Sequence, residues 1–534
     1  MSTWQENIVA RDSTPSAANS LDHVTALRCD PALSASPPSV SPLAAAAELF
    51  AALDAAGIRY GMIQDTASLP EALAGRDDMD MLLDKQDYTA FCGIMARLHG
   101  LRSVSLSCYD NACAGREDWF VPDFSRSAYL HIDLHVGIRV GWEFRKRYLA
   151  FDYAAIEQWE HLSIAGISIP VASAEAEIGL AIGRFAFRLR AWPWTQWLAV
   201  PGDWGNKLAR LPLLSSKPGE CVIEYDGGRN GKVTCRIRPS DSGIEVHRAD
   251  LARLRRSIRH RCGFSNGSGL ADATIHVIRK ASYLSLRVLG RVLPGSVPAK
   301  RRALTGGLVV ALVGPDGLGK STQTNLLART FAWKFGCAQV YVGTGEGNGW
   351  WFRKGLQNLL APRRRHFKAV IQRDRKEPGS GAKSKALAAG LALWGVLIAI
   401  ERYGVVKRAH RWATRGLIVV CDRWPQTLQK GYLDGPMIPS NLPAVPGIAA
   451  LARFEEWLYQ KMNECKPDLT LHLVSDFAVS QSRKPGEISK EGFEARMSLM
   501  AELRALDKDI RVIDASANTE TINRNLFKQI WLSL

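Results

Sequence analysis

None of the ten cysteines, at 29, 92, 108, 113, 221, 235, 262, 337, 421 and 465, belongs to a C-x-x-C pair or has a histidine at ligand spacing. A zinc knuckle and a dithiol redox motif are therefore not written in this chain, and the cysteines read as reduced thiols of a cytoplasmic protein. The first residues lack the positive charge and following apolar run that a signal peptide needs. Met1 to about Pro42, rich in Ser, Ala and Pro, is expected to be a disordered tail. No strong internal repeat is visible. One segment, Ala386 to Ile400, is almost wholly apolar, but it meets Glu401-Arg402 after fifteen residues. A bilayer needs roughly 20, so a buried core helix is expected there and no integral membrane span.

A chain of 534 residues is too long for one ordinary core, and two or three domains are expected. With 69 Lys and Arg against 52 Asp and Glu, the formal charge is +17, which points to anionic partners such as nucleotides, lipid headgroups or other polyanions. Residues 43–210 read as an α+β region. Helices are expected over Leu43–Ala56, Gln86–Leu98 and Ala174–Arg190, and strands over Ile58–Ile63, Met79–Leu83 and Tyr129–Val136. Trp192, Trp194, Trp197 and Trp204 read as packing residues rather than a ligand cage. Residues 211–303 form a basic connecting region, with a hairpin from Cys221–Tyr225 to Lys232–Ile237. In it, Ala273–Leu293 can form a basic amphipathic helix. Two readings fit that helix: a solvated basic face packed on its apolar side, or contact with an anionic membrane or polyanion.

From about 304 to 534 strands alternate with helices, which implies a parallel sheet covered on both faces. The strands are expected at Leu308–Val313, Ala338–Val342, Leu417–Cys421, Asp468–Val474 and Ile510–Ile513. After the first comes Gly314-Pro315-Asp316-Gly317-Leu318-Gly319-Lys320-Ser321-Thr322, and then a helix through Phe335. This is the G-x-x-x-x-G-K-[ST] pattern of a phosphate-binding loop. Its glycines let the backbone turn N–H groups inward, and the helix N-terminus adds positive dipole. Lys320 is expected to reach the terminal phosphates of ATP, and Ser321 to offer a hydroxyl to Mg²⁺.

Together with Asp422-Arg423-Trp424, Pro467-Asp468-Leu469-Thr470-Leu471-His472-Leu473 and Asp514-Ala515-Ser516, the loop resembles the thymidylate kinase group of P-loop kinases over about 230 residues. The resemblance implies an ATP-dependent phosphotransferase in a P-loop domain built on a five-stranded parallel sheet. It implies that Asp422 assists Ser321 with Mg²⁺, that Asp316 faces the acceptor sugar, and that Arg423 contacts the acceptor phosphate. It also places a lid with transition-state arginines at Ser482–Glu487, where Arg483 is the first candidate and Lys484 the second. The chain departs from the group in two places. Gly343 to Trp350 replaces the Arg-Glu-Pro loop, and Lys430-Gly431-Tyr432 follows Thr427 in place of the run that recognises thymine. Residues 363–384 are an arginine-led insertion. The acceptor is therefore expected to be a nucleoside monophosphate or a related phosphorylated or sugar-bearing molecule.

The first region carries Asp78-Met79-Asp80 and His131-Ile132-Asp133, which resemble the carboxylate strands of nucleotidyltransferase-fold proteins. Alternation puts Asp78 and Asp80 on one side of a strand, and Asp133 on a neighbouring strand can complete a Mg²⁺ site. The Gly-Ser or Gly-Gly turn of that group is not reproduced at Gly61-Met62. An active nucleotidyltransferase, an inactive binding relative and an unrelated structure all fit. Chains that join two such regions resemble bacterial proteins of surface polysaccharide synthesis, so a nucleotide-gated binding protein is the other alternative. The oligomeric state is open, a homodimer included.

Overall fold

A computed structural model describes residues 41–63, 68–104, 115–142, 147–151, 153, 156, 159–188, 195–200, 221–226, 232–240, 243–261, 269–292, 301–304, 306–343, 382–431, 433–438 and 447–534. Most of the tail, Trp192, Trp194, Trp204, Tyr432 and residues 344–381 lie outside them. The 344–381 stretch holds nearly all of the arginine-led insertion.

In chain order the elements are α1 (Ala44–Ala55), β1 (Tyr60–Met62), α2 (Leu69–Leu73), β2 (Asp78–Leu83), α3 (Tyr88–Arg97), β3 (Leu101–Val104), β4 (Arg116–Asp123) and β5 (Ala128–His135). Next come β6 (Ile138–Trp142), β7 (Arg147–Phe151), β8 (Trp159–Ile164), β9 (Ile167–Ala172), α4 (Ala174–Arg188) and β10 (Trp197–Val200). The middle of the chain forms β11 (Cys221–Asp226), β12 (Lys232–Ser240), β13 (Gly243–His247), α5 (Arg248–Arg261), α6 (Gly269–Val292) and β14 (Arg302–Ala303). The last part forms β15 (Leu308–Val313), α7 (Lys320–Ala332), β16 (Cys337–Tyr341), α8 (Ala382–Thr414), β17 (Ile418–Asp422) and α9 (Ile448–Glu464). It ends with β18 (Leu469–Val474), α10 (Phe477–Arg483), α11 (Lys490–Leu506), β19 (Arg511–Asp514) and α12 (Thr519–Trp531). The chain is a mixed α/β protein.

The eight-stranded sheet has the order β14-β3-β4-β5-β2-β1-β9-β8. Alternation along its strands sorts two faces. Met79, Met81, Leu130, Ile132, Leu134, Trp119 and Val121 join α1 and α3 in one core. Asp78, Asp80, Asp118, Phe120, Tyr129, His131, Asp133 and His135, which alternate with them, fall on the other face. Gly61 leaves room for the Trp159 ring, since a Cβ there would come within 1.9 Å of it. That close approach accounts for the glycine by packing.

The expected hairpin is present, with Asp226 opposite Lys232. It belongs to an antiparallel sheet of order β10-β13-β12-β11, so one strand of that sheet precedes residue 210 and three follow it. Ile178 and Ile182 of α4 and Leu251 and Leu254 of α5 pack into its core. Trp197 packs within this sheet, edge-on to His247 and under the Arg238 guanidinium.

The five-stranded sheet is parallel throughout, in the order β16-β17-β15-β18-β19. Val309, Ala311, Val419 and Cys421 face α8 and α9, whereas Leu308, Val310 and Leu312 face α7 and α12. Helix α8 is 33 residues, not fifteen. By length and composition it is the one helix among the described residues that could cross a membrane, and half of its apolar window is buried. The helix continues past Ile400 because the charges that end the apolar run turn inward: Arg402 is buried and binds Tyr459 and Asp434. Ala399, Val406 and Ala409 are fully buried in the core shared with the sheet, and Ala392 in a separate cluster with Ile438 and Ile448.

Candidate functional site

The chain turns sharply after β15 because three glycines take backbone angles closed to most residues. Gly314, Gly317 and Gly319 have φ of 141°, 85° and 84°. A Cβ at Gly317 would lie 2.4 Å from the Ser480 hydroxyl, and one at Gly314 would lie 2.7 Å from the Leu473 carbonyl oxygen. Only glycine lets the turn press so closely on β18 and α10. Helix α7 starts directly at Lys320 with no side-chain cap, so its first N–H groups are open to an anion.

Lys320 is 5% exposed, and its ammonium donates to the Pro315 carbonyl oxygen at 2.6 Å. Burial and the nearby Arg423 cation push it down to about 8, against the pull of Asp316 at 3.8 Å. Beside it the Ser321 hydroxyl donates to Asp422 Oδ2 at 2.5 Å. The other oxygen of that carboxylate, Oδ1, is buried and has no hydrogen-bond partner among the described residues. A divalent cation that takes oxygen ligands fits such a lone buried oxygen next to a hydroxyl, so Ser321 and Asp422 are suited to hold Mg²⁺.

Asp316 points out of the loop to two guanidinium groups, those of Arg423 and Arg496. Burial alone would raise its carboxyl, but Arg423, Lys320 and Arg496 outweigh that and hold it below the usual carboxylate range. Arg423 follows β17 with a φ of 76°, in the left-handed region that long side chains rarely occupy. Its guanidinium also reaches Asp434 at 3.4 Å, and Asp434 in turn accepts from Arg402 at 2.6 Å. Burial would lower the Arg423 pKa, but Asp434 and Asp316 raise it overall.

Arg483, the first lid candidate, is exposed at the outer rim of the loop. It donates to the carbonyl oxygens of Ala517 at 2.9 Å and Leu318 at 3.5 Å. Lys484 pairs with Glu487 at 3.1 Å. The cation that reaches Asp316 from the following helix is Arg496, which sequence reasoning missed. Its signal was there: Phe493 and Met500, three residues before it and four after, are buried, so Arg496 shares their inward face. Lys430 turns away to Glu456, at 2.5 Å.

A cavity of about 190 Å³ opens beside this network, lined by Gly314, Arg423, Thr427, Asp434, Thr470 and Leu503 among others. It also touches Lys466 and Asp507, which precede β18 and β19, so it extends along the sheet from one edge toward the other. His472, two residues on from Thr470 and therefore on the same sheet face, is 1% exposed, with neither ring nitrogen bonded among the described residues. Burial, then the Arg504 and Lys320 cations, lower it to about 4, so it is neutral at physiological pH.

The second candidate site lies on the face of the eight-stranded sheet that carries Phe120 and Tyr129. Parallel pairing sets Asp78 beside His131 and Asp80 beside Asp133. Asp80, Asp133 and His135 have ligand atoms within 4.8 Å of one another. Asp78 is turned elsewhere, 3.7 Å from Lys334 Nζ and 3.7 Å from the His131 ring. Asp133 is already gripped by Arg116, whose Nε lies 2.8 and 3.0 Å from its two oxygens. Asp118 accepts from Arg301 at 3.0 Å and bonds His131 at 2.8 Å.

The two sites meet along α7. The helix begins at Lys320 and ends against the first region, where the Tyr129 hydroxyl donates to the Thr330 carbonyl oxygen at 3.1 Å and accepts from the Lys334 N–H at 3.2 Å. Phe120 and Tyr129 share a core with Phe331, Phe335 and Trp531, and the Trp531 indole donates to the His99 carbonyl oxygen. Strand β14, just ahead of β15, is paired to β3.

No family model matches the chain. Over 211 residues, 37% of this chain and 81% of the relative, it is 30% identical to the uncharacterized ATP-binding protein YghR of Escherichia coli strain K12. Identity and coverage are the same for YghR of Escherichia coli O6:H1. The uncharacterized ATP-binding protein YghS of strain K12 is 28% identical over 179 residues, 33% of this chain and 73% of that protein. On this likeness the chain belongs to the family of the ATP-binding protein YghR.

Proposed function

We propose that this chain is a phosphotransferase that binds ATP and Mg²⁺ on the P-loop formed by residues 314–322 and passes the γ-phosphoryl group to a small phosphorylated acceptor. The observation that carries the reading is the buried Lys320 ammonium at the mouth of the glycine turn, next to the Ser321–Asp422 pair with its one unbonded oxygen. The names of YghR and YghS support the nucleotide half.

Transfer forms a bond from an acceptor oxygen to the γ-phosphorus and breaks the bond to the bridging oxygen, which leaves with ADP. Lys320 and the loop N–H groups hold the donor phosphates, where bound Mg²⁺, held by Ser321 and Asp422, would neutralise part of their charge. Arg423 borders both the loop and the cavity, so it aligns an acceptor there with the donor. Asp316 is a weak base, because Arg423, Lys320 and Arg496 keep its carboxylate ionised. That favours an attacking oxygen already without its proton, as in a nucleoside monophosphate or another phosphate monoester. A cytoplasmic location, where ATP is plentiful, belongs to this reading.

A second reading is favoured by the Asp80, Asp133 and His135 cluster: metal-dependent nucleotidyl transfer in the first region, releasing pyrophosphate. γ-Labelled ATP, the full chain and a panel of nucleoside monophosphates and sugar phosphates separate the two. Labelled acceptor and ADP that disappear in Lys320→Ala support the phosphotransferase. Pyrophosphate release that depends on Asp80 supports the second reading, and ATP binding with no turnover across the panel leaves a nucleotide-gated binding protein.

A further inference from the structure

Helix α6 stands apart from the cores just described. Its 24 residues span about 36 Å at the usual rise, and large apolar side chains along it are open to solvent: Val277 63%, Ile278 59%, Leu284 46%, Val288 56% and Val292 61% exposed. At about 100° per residue these five share one side of the helix with Ala281. Arg279, Lys280, Tyr283 and Arg287 fall on the other side. An apolar stripe of this kind is rare on a soluble surface unless something covers it.

We infer that α6 is a peripheral membrane anchor, lying in the plane of an anionic bilayer with Val277, Ile278, Leu284, Val288 and Val292 among the acyl chains. Arg279, Lys280 and Arg287 then meet the lipid phosphates. Charge selects this occupant. The cations border the apolar stripe as an interfacial helix needs, and a chain of net charge +17 is attracted to an anionic surface but repelled by a second copy of itself. Arg279 and Lys280 sit near the middle of the helix, which sets it along the surface instead of across the bilayer. The inference does not depend on the proposed phosphotransferase activity.

Co-sedimentation of the full chain with vesicles tests it, using phosphatidylcholine alone and equal parts phosphatidylcholine and phosphatidylglycerol. Binding is expected to the anionic vesicles and to be at least about tenfold weaker to the neutral ones. Val277→Glu with Val288→Glu removes the stripe, and Arg279→Gln with Arg287→Gln removes two cations; each pair is expected to weaken binding about tenfold while far-ultraviolet circular dichroism stays unchanged. The two pairs act through different forces, so if one variant fails to fold the other still decides. The proposal is overturned by no vesicle binding, by equal binding to both compositions, or by folded variants that bind as the parent does. Retention on heparin without vesicle binding would assign the helix to a soluble polyanion instead. A dimer in light scattering that Val277→Glu with Val288→Glu turns into a monomer, again without vesicle binding, would assign it to a second copy.

Discussion

The two ends of helix α7 carry clusters of charge built on opposite plans. At its start Lys320, Arg423 and Arg496 crowd one carboxylate, Asp316, while Asp422 keeps an oxygen unbonded. At its end four carboxylates on one face of the eight-stranded sheet have basic neighbours: Asp78 has Lys334, Asp80 has His135, Asp118 has Arg301 and Asp133 has Arg116. A buried ammonium beside an uncapped helix start and an open carboxylate oxygen suits an anion and a divalent cation. In the second cluster Arg116 and Arg301 already hold Asp133 and Asp118, as a structural ion-pair network does. Motif strength in the sequence ran the same way, strong at the loop and weak at Asp78-Met79-Asp80.

The sharpest way to break this contrast is to remove one cation from each side. Lys320→Ala is expected to lower phosphoryl transfer by about 100-fold or more, because a charge contact that strengthens in the transition state is lost, and to shift thermal stability little. Turnover close to that of the parent in a folded Lys320→Ala protein would refute the assignment. Arg116→Ala is expected to do the reverse. It removes the guanidinium from the Asp133 carboxylate, whose side chain is 3% exposed, and should cost about 3 kcal/mol in urea denaturation, with ADP formation per folded molecule kept. A stable Arg116→Ala protein would show that the pair is not structural.

The five-stranded sheet and its loop were legible in the sequence because both are local: apolar runs of strand length, glycines where φ is positive, a helix directly after. The residues missed are held by contacts distant in the chain. Strand β14 joins the first region's sheet, β10 pairs with a strand more than forty residues later, and Lys334 reaches Asp78 across the packed regions. None of these leaves a periodic trace. The inward face of α11 does leave one, at Phe493, Arg496 and Met500, where an arginine shares the spacing of buried apolar residues. The sequence hides the length of α8, because Glu401-Arg402 looks like the end of an apolar run until Asp434 and Tyr459 are in place around Arg402.

A third prediction sharpens the contrast through pH. Burial, then the Arg504 and Lys320 cations, hold the folded His472 imidazole down to about 4 against an ordinary 6.5. The folded state therefore binds fewer protons than the unfolded one between those values. Its contribution is complete above pH 6.5 and is lost as the pH falls toward 4, by up to about 3 kcal/mol. His472→Leu should flatten the acid limb of the stability profile in that window, as read by urea midpoints at several pH values. An unchanged acid limb would mean that the imidazole is already charged or solvated.

The smallest effect is expected from Asp78→Asn with Asp80→Asn. If those carboxylates serve the fold and the chemistry belongs to the loop, ADP formation changes by less than about twofold. Loss of pyrophosphate release would move the chemistry to the first region, and equal loss of both products would show that α7 couples the two.

The central claim is that ATP binds where Lys320 closes the glycine turn. Titration calorimetry of the full chain with ATP and Mg²⁺ tests it most directly. The account predicts saturable binding at one site, weakened at least about tenfold in Lys320→Ala and unaffected by Asp78→Asn with Asp80→Asn. Absence of binding in the parent chain, or an affinity that ignores Lys320 and follows Asp80, would contradict it.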